Sequence, residues 1–485
     1  MHHLLLPCLM LLLGIAVVLW LWPGKVLRAV TVLVRKVQRP VLVVRDRVAA
    51  HHLLVRGSAG GFFSDRPAST VASAVLSRRK FDNMNSAPYG PLWRTMRRNL
   101  TSDVFHPQHL HRYASARRRA LSRLLEDLRQ QCRNGGVVLA AESIRTAMFG
   151  LLVEMTFGQG VDEGLIRAMS KAMSDLVKFF PELRIISKLP IFIAKIYYRE
   201  RWTKLVTLRR NQEQMYLPLI KARRERRAHN NHSGEPTAYV DTLIDLQVEG
   251  DGRSLADGEL VGMCSEFLGA GTDAVATELQ WIMAELVKNP DMQEAIRREM
   301  DDVVGAEAEE VGQDVLGKLE YLNAVVMEGL RLHPAVHTIF REVTKRDHVL
   351  LEGRRLRTGT VVVFPLASPA LDKTAWADPK EFKPQRFMGS GGGENTSLLA
   401  GAGSAGEIRM MPFGAGRRMC PGMGVAMLHM AYFMANILRE FEWKDPEGEL
   451  AVDLKPHGRN EGFFTVMKRP LRANLVLRRQ DKHKT

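Results

Sequence analysis

Apolar residues recur every three or four positions through 117–130, 205–227, 258–287 and 319–332, and that spacing predicts a helix over each stretch. A further apolar helical stretch, 423–438, follows a cluster of glycines. Short β-branched runs at 40–44, 358–364 and 474–477 predict strands. The pattern is mainly α with a small β-sheet region, and no internal repeat interrupts it. Two segments of small and polar residues, 229–235 and 389–406, predict loops because they offer nothing to bury.

The first apolar run differs from the others in having no polar face. From Leu4 to Trp22 it is uncharged and about long enough to cross a bilayer as a helix, with Trp20 and Trp22 where an interfacial aromatic would lie. It lacks the charged start and small-residue cleavage site of a removable signal, so a retained anchor is expected. Lys25, Arg28, Arg35, Lys36 and Arg39 follow it, which keeps the C-terminal side cytosolic by the positive-inside rule. The expected organisation is a signal-anchor helix over 1–24, a short basic linker over 25–39 and one large domain over 40–485. Under that topology the glycosylation triplets at Asn99, Asn231 and Asn395 are chance matches.

Composition narrows the classes. With 485 residues, 46% of them hydrophobic, the chain can bury a large core. The four cysteines, Cys8, Cys132, Cys264 and Cys420, lie too far apart for a zinc site or disulfide framework. The net charge of +16 suits an acidic protein partner or anionic lipid. Its basic runs, Arg117-Arg118-Arg119 among them, lack interleaved aromatics, so no nucleic-acid partner is expected. Gly401-Ala402-Gly403-Ser404-Ala405-Gly406 is formally a dinucleotide fingerprint, but it follows no strand and opens no helix. His106, His109 and His111 are broken up by Pro107 and have no acid or cysteine to complete a metal set.

Chemistry gathers around the last cysteine. Phe413-Gly414-Ala415-Gly416-Arg417-Arg418-Met419-Cys420-Pro421-Gly422 sets a lone thiol among glycines and arginines, just before an apolar helix. Buried lone cysteines are usually small hydrophobes. Here positive charge, a helix N-terminus and glycines that admit backbone amides favour a thiolate, and hence a metal ligand. The segment resembles the haem-binding signature of the cytochromes P-450 at every fixed position. The resemblance implies that Cys420 binds the iron of haem b (iron protoporphyrin IX), that Arg418 meets a haem propionate, and that Phe413 and Gly414 shape the loop beside the cofactor. A thiolate ligand pushes electron density into the iron.

Independent motifs agree. Trp93-x-x-x-Arg97 resembles the family's C helix, whose two residues face the propionates, and Arg341 stands where another propionate partner is common. Glu328-Gly-Leu-Arg331 resembles the K-helix Glu-x-x-Arg. Arg386 in Pro384-Gln385-Arg386-Phe387 would complete a buried charge network, with Gln385 where glutamate is usual. Ala270-Gly271-Thr272-Asp273-Ala274-Val275 resembles the oxygen-activating motif, and Ala270, Gly271 and Asp273 match as its catalytic residues. The two threonines that usually follow are Ala274 and Val275, neither of which can donate a proton, and Thr277 lies a turn further on. A second departure precedes the domain. Only roughly fifteen residues separate Pro23 from the first strand, too few for a proline hinge, an amphipathic helix and a first β hairpin together.

The resemblance covers about 40–478 and extends to the plant A-type microsomal group, close to family 89, through Ser86-Ala-Pro-Tyr-Gly-Pro-Leu-Trp93, Leu279-Gln-Trp-Ile-Met283 and Phe441-Glu-Trp-Lys444. It implies a single-pass protein of the endoplasmic reticulum membrane. Such an enzyme inserts one atom of O2 into an apolar small molecule, with electrons from NADPH through a separate NADPH–cytochrome P-450 reductase. The substrate would be lined by the loop before Trp93, by 179–198, 262–272 and 335–340, and by Phe463 and Phe464; His333 and His337 fall in that wall. The missing threonine keeps two alternatives open: a reductase-independent haem-thiolate isomerase or dehydratase, and a haem-binding protein impaired in turnover.

Overall fold

The structure is a computed structural model that describes residues 40–57, 62–67, 83–135, 137–179, 182–183, 186, 191–228, 237–250, 252–344, 348–389, 398–399, 407–448, 451–457 and 463–478. The anchor at 4–22, the basic linker, Asn231, Asn395 and the 401–406 glycine run lie outside them. Among the described residues no helix is long and apolar enough to cross a membrane.

Helices of eight residues or more are α1 (Pro91–Arg98), α2 (Ala114–Arg133), α3 (Ala140–Phe157), α4 (Glu163–Lys178), α5 (Arg199–Ala228), α6 (Asp257–Lys288), α7 (Pro290–Val304), α8 (Glu320–Leu332) and α9 (Met423–Glu440). α6 forms the axis, packing on α3, α5, α8 and α9. It starts where Glu259 folds back on the Ala256 N–H (2.7 Å), and ends at Asn289, where Pro290 opens α7. Most of its length is buried, from Leu260 and Val261 to Leu286 and Val287, so it reads as apolar on nearly all sides. α5 runs unbroken past Pro218. After α1 the chain widens into π turns over Asn99–Val104.

The strands form small sheets beside this helical mass. β1 (Val41–Val43) runs parallel to β6 (Val361–Pro365), which pairs antiparallel with β3 (Thr338–Glu342) so that Arg341 faces Val362 across the ladder. β2 (Val138–Leu139), β8 (Arg472–Leu477) and β7 (Phe441–Lys444) form an antiparallel sheet in the order β2-β8-β7, and β4 (Leu350–Leu351) pairs with β5 (Arg354–Arg355). The predicted strands at 40–44, 358–364 and 474–477 are thus β1, β6 and β8, and the predicted helices are α2, α5, α6, α8 and α9. β1 sits at the sheet edge with β6 as its one partner among the described residues.

Candidate functional site: an arginine-walled cysteine pocket

Cys420 lies between a turn of 3-10 helix, Gly416–Arg418, and the start of α9. The loop folds back on itself: Cys420 N–H donates to the Phe413 carbonyl (2.9 Å) and Gly414 N–H to the Met411 carbonyl (2.9 Å). Gly414 and Gly416 adopt φ of +74° and +70°, which side-chain-bearing residues rarely reach. The glycines of the motif are therefore demanded by the turn that presents the sulfur. Burial raises the thiol pKa, opposed by the Gly422 backbone and by Arg97 and Arg66. Positive surroundings alone do not make the thiolate here, contrary to what the charge pattern suggests, because desolvation is the larger effect; a metal at the sulfur would reverse the balance.

Four guanidinium groups, on Arg66, Arg97, Arg341 and Arg418, gather about this loop. Arg418 donates to the carbonyls of Ser64 (2.8 Å), Met84 (3.2 Å) and Ala87 (2.6 Å) and lies 4.6 Å over the Trp93 ring. Arg97 donates to the Met419 carbonyl, next to the cysteine. Arg341 donates to the Phe340 carbonyl at 2.9 Å. All four lose basicity through burial. Arg418 falls to about 9, with Arg66 repelling it, and Arg341 goes well below its ordinary value, with Arg66 and Arg418 repelling it. Nearby acids answer only part of this charge: Asp65 stands 3.8 Å from Arg418, and the half-buried Glu266 faces Arg66 and Arg418. Arg66 belongs to no motif, and only the fold reveals it.

The groups present fit a haem. Trp93 Nε1 is a buried donor with no acceptor, beside the Arg418 guanidinium, as an absent anion would leave it. Ala270 is exposed in the middle of α6 although Phe267, Leu268 and Thr272 around it are buried. Cys420, Arg97 and Glu266 are strongly desolvated yet only half-buried, which places them on the wall of an internal space. Surplus positive charge, an orphaned donor and a sulfur gathered about one loop match a large planar ligand bearing two carboxylates.

The three α6 residues of the oxygen-activating motif separate. Ala270 keeps an exposed side chain in the middle of α6. A methyl group on Gly271 would stand 2.8 Å from Leu152 Cδ1, so this glycine admits α3 instead of a ligand. Asp273 Oδ1 accepts from Arg145 Nε at 2.9 Å, and its Oδ2 is buried without a partner. Burial raises the Asp273 pKa against the pull of Arg145. Phe413 packs half-buried against the main core.

Away from the cavity, Glu328 and Arg331 form a fully buried pair at 2.6 and 2.8 Å, and Arg386 reaches the same carboxylate at 3.3 Å. Arg331 also donates to the carbonyls of Ala370, Pro379 and Glu381, so the network ties α8 to the loop carrying Arg386. Breaking such a buried pair costs about 3–5 kcal/mol. His333 stacks on Trp281 with centroids 4.4 Å apart and bonds Glu285; His337 bonds Thr465 (3.2 Å). Thr465 N–H donates to the Ala335 carbonyl (2.7 Å), bringing the two expected wall segments together. His109 bonds the Asp103 carbonyl and His111 bonds Gln313.

The cytochrome P450 family model matches residues 30–469. Cytochrome P450 89A9 of Arabidopsis thaliana is 37% identical over 91% of this chain and 85% of its own length. The tabersonine/lochnericine 19-hydroxylase of Catharanthus roseus is 27% identical over 86% of the chain and 80% of its own. A solved zebra fish cytochrome P450 with progesterone shares the fold, with TM-score 0.73 at 21% identity over 91% of this chain and 94% of that one. The chain belongs to the cytochrome P450 family, a family of haem-thiolate oxidoreductases, and within it stands close to family 89.

Proposed function

We propose that this chain is a membrane-anchored monooxygenase that oxidises an apolar small molecule with electrons from NADPH, delivered by a separate flavoprotein reductase. One observation carries the reading: four desolvated guanidinium groups gather about the Cys420 loop, with the orphaned Trp93 N–H beside one of them, Arg418. When bound, the haem supplies reductive activation of dioxygen. Cys420 Sγ is the iron ligand, presented by the Gly414–Gly416 turn. Arg97, Arg341, Arg418 and Trp93 Nε1 neutralise and orient the propionates, and Arg66 adds a fourth cation. Ala270, with no more than a methyl group, would leave room on α6 for the cofactor's ligands, while Asp273, held by Arg145, would hold a proton at the helix flank.

The remaining organisation follows the same reading. Residues 1–24 anchor the chain in the endoplasmic reticulum membrane, 25–39 link, and 40–485 form the catalytic domain on the cytosolic side. The hydroxylase name of the Catharanthus roseus relative supports oxygen insertion as the outcome. Ala274 favours a second reading, an isomerase or dehydratase that needs no reductase, because the alanine methyl cannot pass on a proton. Purified protein, reduced and exposed to carbon monoxide, is expected to give the thiolate-type Soret band, which Cys420→Ser loses together with product formation. Substrate-dependent NADPH consumption with reductase then separates the two readings, since only the monooxygenase shows it. A Cys420→Ser protein with unaltered absorbance and products overturns both.

A further inference from the structure

α6 holds a further acid that none of these roles uses. Glu278 lies one helical turn beyond Ala274 and is 4% exposed. Its Oε1 accepts the Ala335 N–H at 2.6 Å, on the segment expected to wall the substrate pocket; its Oε2 is buried with no partner. Neighbours in this part of α6 are already satisfied. Trp281 Nε1 donates to the Thr465 carbonyl (2.6 Å), and His333 is bonded to Glu285 (2.7 Å). Among the described residues no cation pairs with Glu278.

An ionised carboxylate in that position would be a desolvated charge with one backbone hydrogen bond, which is strongly unfavourable. Burial accordingly lifts the Glu278 pKa well above the carboxylate range, against the weaker pull of the Ala335 N–H. The side chain is then a neutral acid: Oε1 is the carbonyl acceptor engaged by Ala335, and Oε2 bears a proton aimed at no protein acceptor. Asp273 differs, because Arg145 shares its charge. The threonine hydroxyl expected at 274 is missing, and an unspent acidic proton stands one turn away.

We propose that Glu278 holds the proton that position 274 cannot carry, and passes it from Oε2 toward dioxygen as it is reduced. This rests on the monooxygenase reading. Each turnover takes RH, O2, two electrons and two protons to ROH and H2O: the O–O and one C–H bond break, a C–O bond forms, and NADPH is oxidised through the flavoprotein reductase. Glu278 gives up one of the two protons and regains it from solvent, so the residue is unchanged at the end. When that proton fails to arrive in time, O2 leaves with the two electrons and two protons drawn from water as hydrogen peroxide, and RH is left unchanged. Glu278 is a proton-holding residue, and coupling reads its work.

The test uses the full-length holoenzyme with reductase, and 7-ethoxycoumarin as the apolar probe. Infrared spectra of wild type are expected to contain a protonated-carboxyl carbonyl band that shifts in D2O and vanishes in Glu278→Gln. Glu278→Gln should keep the reduced carbon-monoxide spectrum while peroxide released per NADPH rises about tenfold, and adding Ala274→Thr should reverse most of that rise. Glu278→Leu, of similar volume without a buried polar atom, substitutes if the glutamine variant does not fold. The proposal is overturned if wild type lacks the band, if Glu278→Gln couples like wild type, if wild type is itself fully uncoupled, or if only the KM for the probe moves. A missing Soret band would instead sink the monooxygenase reading.

Discussion

Trp93 concentrates the argument for an absent anion into one atom. Its ring lies beneath Arg418 and its Nε1 is buried without an acceptor. Trp93→Phe keeps the ring and removes the donor. A hydrogen bond to a charged acceptor is worth about 1.5–3 kcal/mol, so release of haem to a scavenging protein should quicken about tenfold or more. The haem-free form should lose only part of the stability that the smaller ring's cavity costs, because an unsatisfied group is removed with it. Unchanged haem release would show that Nε1 faces no propionate. Glu266 gives a pH signature. Burial raises its pKa to about 7, opposed by the N–H groups of Asn85 and Met84 and then by Arg66 and Arg418. The folded state thus holds this proton more tightly than the unfolded chain, whose glutamate titrates near the ordinary 4.5. Stability is fullest below that value and falls as pH climbs through the window up to about 7. Melting temperature measured across the window should decline for wild type and decline less for Glu266→Gln; equal slopes would contradict the assignment.

Between elements, α8 approaches α6 closely at Gly329. A methyl group on Gly329 would stand 2.3 Å from Ile282 Cγ1 and 2.9 Å from Cδ1. Gly329→Ala should therefore destabilise by about 1–3 kcal/mol, and Ile282→Ala in the same chain should recover part of that loss, as denaturant titration of the four variants of a double-mutant cycle would show. Additive losses would mean that the helices do not touch there. The same packing explains what the sequence disclosed. α2, α5 and α8 were legible because apolar spacing persists over several turns, and α6 because its apolar stretch is too long for a strand. α3 was not: Phe149, Leu151, Leu152 and Val153 are buried in succession, which erases the periodic contrast that marks a surface helix. Cys420, Arg418, Trp93 and Arg97 were legible because their spacing is a local motif. Arg66 and Glu278 were not, since each matters only through residues far away in sequence, Cys420 for one and Ala335 for the other. Gly271 matches the oxygen-activating motif by sequence, yet in the fold what stands against it is the Leu152 side chain.

For the whole molecule the excess of +16 is the quantity that matters to partners. Exposed charges more than about 10 Å apart are screened at 0.1 M salt. NADPH oxidation supported by an acidic reductase should slow as salt rises from low values, mainly through weaker encounter, while the carbon-monoxide spectrum stays constant. A salt-independent rate would argue against charge-guided docking. Topology has its own internal witness in Asn99, which is 2% exposed, with Nδ2 near Asp103 (3.3 Å) and Oδ1 accepting from Thr242 (3.3 Å). A sugar on that nitrogen could not coexist with the closed packing around α1. If the proposed membrane topology holds, any glycan found at Asn99 would therefore count molecules that were inserted backwards and decorated before they folded, making the site a tally of failed biogenesis.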